Sequence, residues 1–271
     1  MLDRLLQKLI FLIKPISIFA CISFVGVVIL LPVIIVIIEA FKAGVINYFL
    51  SLNNKDTIEA LLLSLKIALY VVIFNTIFGI MSAWCLTRFN FYGKSLISAL
   101  IDIPFSVSPV IVGFIYLSLF NTNGLLGHFC EQFNIQVLFN TPALVLVTIF
   151  VTFPFVTREL VPLMAEQGAD EEVAALMLGS SGIRMFFTIT IPKIKTGLIY
   201  GILLANARAL GEFGAVAVVS GHIKGLTDTV PLRVEMLYNE YQFTAAFALA
   251  SILIYISILF VYLKNRFFVN Y

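Results

Sequence analysis

An arginine and a glutamate four residues apart, Arg208 and Glu212, stand in an apolar run with nothing else charged for about a dozen residues on either side. That spacing puts both on one helix face, where each neutralises the other. Two chemistries fit such a pair. In one it is structural, tying its helix to a neighbour or to a second subunit. In the other Arg208 offers a passing dianion transient attraction, and Glu212 keeps that attraction weak enough for release. The cost of a charge in an apolar setting favours the structural or gate-supporting role. Other chemistry-bearing patterns fail on their own terms. Gly93-Lys94-Ser95 resembles the end of a phosphate-binding loop, but the position of the opening glycine holds Arg88, so a basic turn is the better reading. Gly179-Ser180-Ser181-Gly182 matches the Gly-x-Ser-Gly of a membrane serine protease, a chemistry that requires a histidine base. His128 and His222, the two histidines, fall in segments assigned below to the other side of the membrane. Two histidines without a thiol pair build no metal site. The chain therefore reads as a non-enzyme with no catalytic residue, metal or cofactor.

The elements that position these residues follow from composition. Of 271 residues, 61% are hydrophobic and 12% charged, and the mean hydropathy is +1.06. A soluble domain carries about a quarter charged residues, and several runs here exceed the roughly 18 apolar residues that cross a bilayer as a helix. Long runs without alternation select helices over barrel strands. The expected fold is an all-α polytopic membrane protein with six transmembrane helices, near 16–40, 58–86, 96–120, 142–164, 193–220 and 243–263. Asp56 with Glu59 reads as a capping box for the second span, Thr141-Pro142 starts the fourth, and Asn121 to Gly124 form a turn. Asp102, near Pro104 and Pro109, suggests a kinked third span lining the same cavity as Arg208 and Glu212. Gly211 and Gly214 permit close helix approach around Glu212. The N-terminal run is too long for a cleaved signal and is read as a retained first span. Three scattered cysteines, Cys21, Cys85 and Cys130, imply no disulfide framework.

Lysine and arginine set the orientation. With the N-terminus inside, the inner segments carry Arg4, Lys8, Lys14, Arg88, Lys94, Arg158, Arg184, Lys193, Lys195, Lys264 and Arg266, against Lys42, Lys55, Lys224 and Arg233 outside, with Lys66 and Arg208 within spans. Both termini are thus expected in the cytoplasm. The longest polar connection, Glu166 to Pro192, falls on the same side. Asp170, Glu171 and Glu172 suit a helix N-terminus, residues 173–178 propagate that helix, and Gly179 can end it in a left-handed cap. A second short helix then carries Ile183, Met185, Phe186 and Phe187 before Pro192 opens the fifth span. Apolar residues exposed on two short helices point to a docking surface, the alternative being a loop folded back on its own helix ends.

This loop carries a family resemblance. Ala174-Ala175, Gly179 and Ile191-Pro192 resemble the EAA loop of ABC-importer permeases, in which Glu-Ala-Ala-x-x-x-Gly precedes an apolar residue and proline. The family glutamate falls at Val173 here, with Glu172 one place early, a displacement of about 100° around a helix. The stretches ANARALGEFGAVAVVSGHIKG at 205–225, EMLYNEYQFTAAFALASIL at 235–253 and DIPFSVSPVIVGFIY at 102–116 are similar to the W-type permeases of sulfate/thiosulfate importers, and ARALGEFG is shared with permeases for molybdate and other oxyanions. The resemblance implies a type I importer fold with a core at 57–264, after an N-terminal tail, span and outer loop at 1–56 and before a short tail at 265–271. It implies ATPase coupling through Glu171, Glu172, Ala174, Ala175, Gly179 and Pro192, while Arg208, Glu212 and Asp102 are pathway or gate candidates from their own place in the spans. It further implies a T-type permease partner, two copies of an ATPase chain, an outer solute-binding protein and membrane lipid, with no nucleic acid. A channel or secondary transporter is the rival class, and it leaves the amphipathic loop unexplained.

Overall fold

The computed structural model describes residues 2–268, with side chains from 14 to 266. The described residues form helices joined by short turns and contain no strand. The first span unites α1 (Leu2–Val25) and α2 (Leu31–Phe41) through a π-helical turn at Gly26–Leu30. The same device recurs at Phe186–Thr190, between α10 (Gly182–Met185) and α11 (Ile191–Leu210). Both π-turns end immediately before a Xaa-Pro pair, Leu31-Pro32 and Ile191-Pro192. Proline lacks an N–H and its ring collides with the carbonyl four residues back. Widening the turn by one residue removes that collision, and the amides of Leu31 and Ile191 accordingly reach back five residues to Gly26 and Phe186.

After α3 (Val45–Leu52), the second span is α4 (Lys55–Arg88). Its cap differs from the expected one. The Asn54 side chain accepts from the Asp56 amide at 3.1 Å, so the helix starts earlier, and Asp56 is freed to pair with Arg233. The third span is α5 (Lys94–Ser106) followed by α6 (Pro109–Phe120), bent by 109°. Pro109 forces Ser108 out of the helical region, as the residue before proline usually is, and Ser108 is extended at ψ 134. Pro104 is accommodated within α5. A short α7 (Gly127–Gln132) lies in the next loop, entered through the expected turn, where the Gly124 amide bonds the Asn121 carbonyl at 2.7 Å. The fourth span is α8 (Thr141–Gln167), capped by the Asn140 side chain on the Thr141 amide at 2.8 Å, with proline in its first turn.

The fifth span departs most from expectation. It begins at Gly182 rather than near Lys193 and runs unbroken through the π-turn to Leu210, so residues 183–187 belong to the span and not to a separate helix. It then breaks at 211–213, and α12 (Gly214–Ser220) follows. α13 (Val230–Asn239) and the last span, α14 (Phe243–Phe268), complete the chain. Among the described residues five helices are long and apolar enough to cross a membrane, and the bent α5–α6 pair, taken as one span, makes a sixth.

α8 is the axis of the bundle. α4 and α11 flank it, and both meet it at glycine: a Cβ on Gly79 would stand 2.7 Å from Val156, and one on Gly201 would stand 3.1 Å from the Val156 Cα. Small residues at such crossings let backbones close to van der Waals contact, the main source of helix association in lipid. Within the bundle Asn75 Nδ2 donates to Thr152 Oγ1 across the seam at 2.7 Å. The first span, by contrast, has no buried residue in its most apolar window.

Candidate functional site

Two places collect the charged residues singled out in the sequence. The first is the loop between the fourth and fifth spans, where α9 (Asp170–Met177) forms. Its acidic first turn complements the helix dipole. Its far end is a Schellman turn: the Ser180 amide bonds the Ala175 carbonyl and the Gly179 amide bonds that of Leu176, both at 3.0 Å, with Gly179 at φ 87 in the region glycine adopts without strain.

The face that α9 turns inward is set by Glu172. Glu172 is 6% exposed, and its carboxylate takes a two-pronged contact from Arg88, Nε to Oε2 at 2.7 Å and Nη2 to Oε1 at 3.2 Å. Thr190 Oγ1 donates to the same Oε1 at 2.9 Å. Arg88 also donates to the Met164 carbonyl at 2.9 Å and the Gly168 carbonyl at 2.7 Å, satisfying acceptors that the end of α8 leaves open. Beside this, Glu171 pairs with Lys193 at 2.8 Å. Val173, one residue on, is 50% exposed. The one-residue offset thus separates two roles: Glu172 is committed to the bundle, and Val173 lies on the outer face with Leu176, Met177 and Leu178, the last 90% exposed. Ala174 is exposed and Ala175 half-buried, while Pro192 is exposed just past the π-turn. Arg88 was not singled out as functional in the sequence; its partner Glu172 lies 84 residues away, and an arginine at a helix C-terminus gives no other local signal.

The second place is the break in the fifth span. Arg208 Nη1 meets Glu212 Oε2 at 2.7 Å, with the two side chains 35% and 1% exposed. The other oxygen, Glu212 Oε1, accepts from the Ala215 amide at 3.0 Å and so caps α12. Glu212 thus has a structural reason for its place, while Arg208 carries the accessible half of the pair. The break abuts the bend of the third span: a Cβ on Gly214 would lie 3.2 Å from Pro109 Cβ. α6 and α12 then run against one another, with Gly113 close to Ala215 and Val218. Asp102 does not join this pair. It is engaged by Arg158 of α8, Nε to Oδ1 and Nη2 to Oδ2 both at 2.6 Å, and the guanidinium lies 5.5 Å from the centre of the Phe105 ring. Arg158, counted with the inner segments in the sequence, therefore sits within a membrane helix.

At the opposite end of α4, the turn between α12 and α13 buries Asp228, Thr229 and Arg233. Arg233 Nη2 bonds Asp56 at 3.1 Å, and Arg233 Nη1 is 3.8 Å from Asp228. Burial pushes the Asp228 carboxyl up to about 6, against the lowering pull of Arg233, His222 and Lys224. A carboxyl raised in the folded state binds more protons there than when unfolded, so its contribution to stability is full below about pH 4 and is lost as pH rises through 6. Asp228→Asn is expected to flatten the decline of the thermal midpoint between pH 4.5 and 7 relative to the parent chain, in this range of carboxyl titration. Parallel profiles for the two proteins would refute it.

The loop held on one side and apolar on the other, on a broken-helix bundle, suits a transport permease, and likeness to known proteins identifies the chain as one. The family model of binding-protein-dependent transport system inner membrane components matches residues 75–268, and the chain belongs to this family of multi-pass inner-membrane permeases. It is 46% identical over 238 residues to the sulfate transport system permease protein CysW of Escherichia coli (strain K12), spanning 88% of this chain and 82% of that one. It is 42% identical over 255 residues to the CysW of Synechocystis sp., spanning 94% and 92%. Likeness to the CysT permease of Escherichia coli (strain K12) is lower, 32% over 242 residues, spanning 89% and 87%. The W-type resemblance read from residues 102–116, 205–225 and 235–253 therefore extends along most of the chain. A bacterial ABC transporter importing the acidic polysaccharide alginate has a chain of the same fold, with a TM-score of 0.78 at 16% identity over 97% of this chain and 99% of that one, in keeping with the type I importer architecture.

Proposed function

We propose that this chain is the W-type half of a heterodimeric permease that moves sulfate or thiosulfate, chemically unchanged, into the cell. The observation that carries this reading is the 46% identity to a CysW sulfate permease, against 32% to a CysT. The partners follow from it: a T-type permease, two copies of an ATPase chain, an outer solute-binding protein and the surrounding lipid. ATP is bound and hydrolysed on the ATPase chains. Both termini and the α9 loop lie on the cytoplasmic side, and residues 57–264 form the permease core.

α9 is the coupling helix. Glu171 and Glu172 hold it to the bundle, Ala174 and Ala175 keep its flank low, Gly179 ends it, and Pro192 sets the start of α11. Its outer apolar face is what an ATPase cleft would cover. Glu212 supports the gate by capping α12, and Arg208 presents positive charge where the two breaks meet, strong enough to draw a dianion and held weak by Glu212. The Asp102–Arg158 pair braces the bend of the third span.

The deciding experiment is uptake of labelled sulfate in cells lacking this chain, with and without its restoration, beside labelled molybdate. Restored sulfate uptake that collapses on ATP depletion is the expected result. Molybdate rescue alone would overturn the substrate, and sulfate uptake indifferent to ATP would overturn the class. Gly179→Asp should abolish uptake while leaving the chain inserted, because a left-handed conformation costs a side chain roughly 1–2 kcal/mol and unravels the end of α9. Normal uptake in that variant would sink the coupling assignment.

A further inference from the structure

α9 is eight residues long, too short to hold its own shape or direction. It is bounded on both sides by glycine in a left-handed region, Gly168 at φ 66 and Gly179 at φ 87, and neither has anything within 4 Å of where a Cβ would stand. The covalent connections of α9 are thus open at both ends. Its direction is set by side chains on one face, and the buried one, Glu172, meets Arg88.

Arg88 is the last residue of α4, and its side chain is 10% exposed. Its three nitrogens make four hydrogen bonds to three places: both oxygens of Glu172 on α9, the Met164 carbonyl of α8, and the Gly168 carbonyl of the connecting turn. Thr190 Oγ1 brings in the start of the fifth span through the same Glu172 carboxylate. The end of α4, the stretch 164–172 and the start of the fifth span are therefore joined through one guanidinium and one carboxylate. A planar fork holds a carboxylate in a fixed orientation as well as a fixed place, which an ammonium does not. The second tie, Glu171 to Lys193, has its carboxylate 64% exposed and is correspondingly screened.

We propose that Arg88 is a positioning residue for transport: it makes α9 and the inner ends of α4, α8 and α11 one rigid piece, so that force on α9 turns the spans instead of being absorbed at Gly168 and Gly179. The proposal rests on the reading of α9 as the coupling helix. Without the fork, an ATPase chain could still seat on Val173, Leu176, Met177 and Leu178, whose exposed face Arg88 does not touch. Its movement would then swivel α9 about the two glycines.

The test uses the whole importer, reconstituted with its ATPase chains and the sulfate-loaded binding protein, reading ATP hydrolysis and sulfate uptake together. Arg88→Gln is expected to assemble and hydrolyse ATP, with sulfate moved per ATP falling about tenfold, in the range by which residues on a coupling network act. Arg88→Lys keeps the charge but not the fork and should recover part of that ratio. A residue that served stability alone would lower hydrolysis and uptake together and leave their ratio unchanged, and that result, or a wild-type ratio in an assembled Arg88→Gln complex, overturns the proposal. Should Arg88→Gln fail to assemble, Thr190→Val decides instead. It removes one bond to Glu172 and should cost about twofold in the same ratio, and no change there overturns the proposal. The premise is read separately, with a benzophenone amino acid replacing Leu178 in the otherwise unaltered chain. Crosslinking to the ATPase chain supports it, and its absence overturns the coupling reading and this proposal with it.

Discussion

Replacing Glu212 with alanine is expected to abolish uptake and to lower stability by about 2 kcal/mol, the sum of a lost helix cap and an ion pair whose arginine is partly exposed. Both losses have the same source. Glu212 holds Arg208 at 2.7 Å with one oxygen and the Ala215 amide at 3.0 Å with the other. Without it, Arg208 keeps its charge in a membrane helix, since a guanidinium does not shed its proton at any accessible pH. Arg208→Ala should be milder in stability, because Glu212 still accepts from the Ala215 amide and the cap of α12 survives. The thermal midpoint in lipid nanodiscs and labelled-sulfate uptake measure the two effects side by side. Wild-type uptake by Glu212→Ala would show that the break tolerates an unpaired cation. The exchange Arg208→Glu with Glu212→Arg restores neutrality but places the cation where it cannot cap Ala215. Uptake retained in that double variant would rule out direct contact between Arg208 and the anion.

The second large effect separates function from folding. Leu178 is 90% exposed and lies just past the end of α9. Leu178→Asp should therefore change stability by no more than about 0.5 kcal/mol, as surface substitutions do. Against a partner it would bury an unpaired carboxylate in the middle of an apolar patch. Central interface residues are worth about 2–4 kcal/mol, which at 1.4 kcal/mol per decade is a loss of roughly 30- to 1,000-fold in affinity. Co-purification of the ATPase chain should fail, and uptake should fall to background with the chain inserted and folded. Uptake at the parental level would mean that α9 docks nothing through this face.

The spans were legible because bilayer length and apolarity are properties of contiguous residues. The caps were half legible: Thr141-Pro142 opens α8 as expected, although Asn140 one place earlier supplies the cap, and Asn54 displaced the expected Asp56, whose carboxylate is drawn instead to Arg233, 177 positions away. The break after Leu210 could not be read from the run ARALGEFGAVAVV, since every residue in it but glycine suits a helix. What ends α11 there is the packing of Gly214 against Pro109 and the capping of α12 by Glu212, both of which depend on the fold. The loop shows the same division. Gly179 declares its cap locally, whereas the inward direction of Glu172 depends on Arg88, a neighbour 84 residues away that the spacing around Val173 does not disclose.

The glycine seams along α8 carry a mechanical meaning. Where Gly79 and Gly201 bring α4 and α11 to backbone distance of Val156, the three helices have no cushion of flexible side chains to shear through. Sliding by even a fraction of a turn would drive the Val156 side chain into the neighbouring main chain, and close-packed surfaces of this kind transmit displacement instead of absorbing it. The trio behaves as a single strut with few internal degrees of freedom. A change of access from one side of the membrane to the other must then be accommodated at its borders, in the bend at Ser108, the break at Gly211 and, in the proposed heterodimer, the contact with the second permease chain, while the strut itself turns without changing shape.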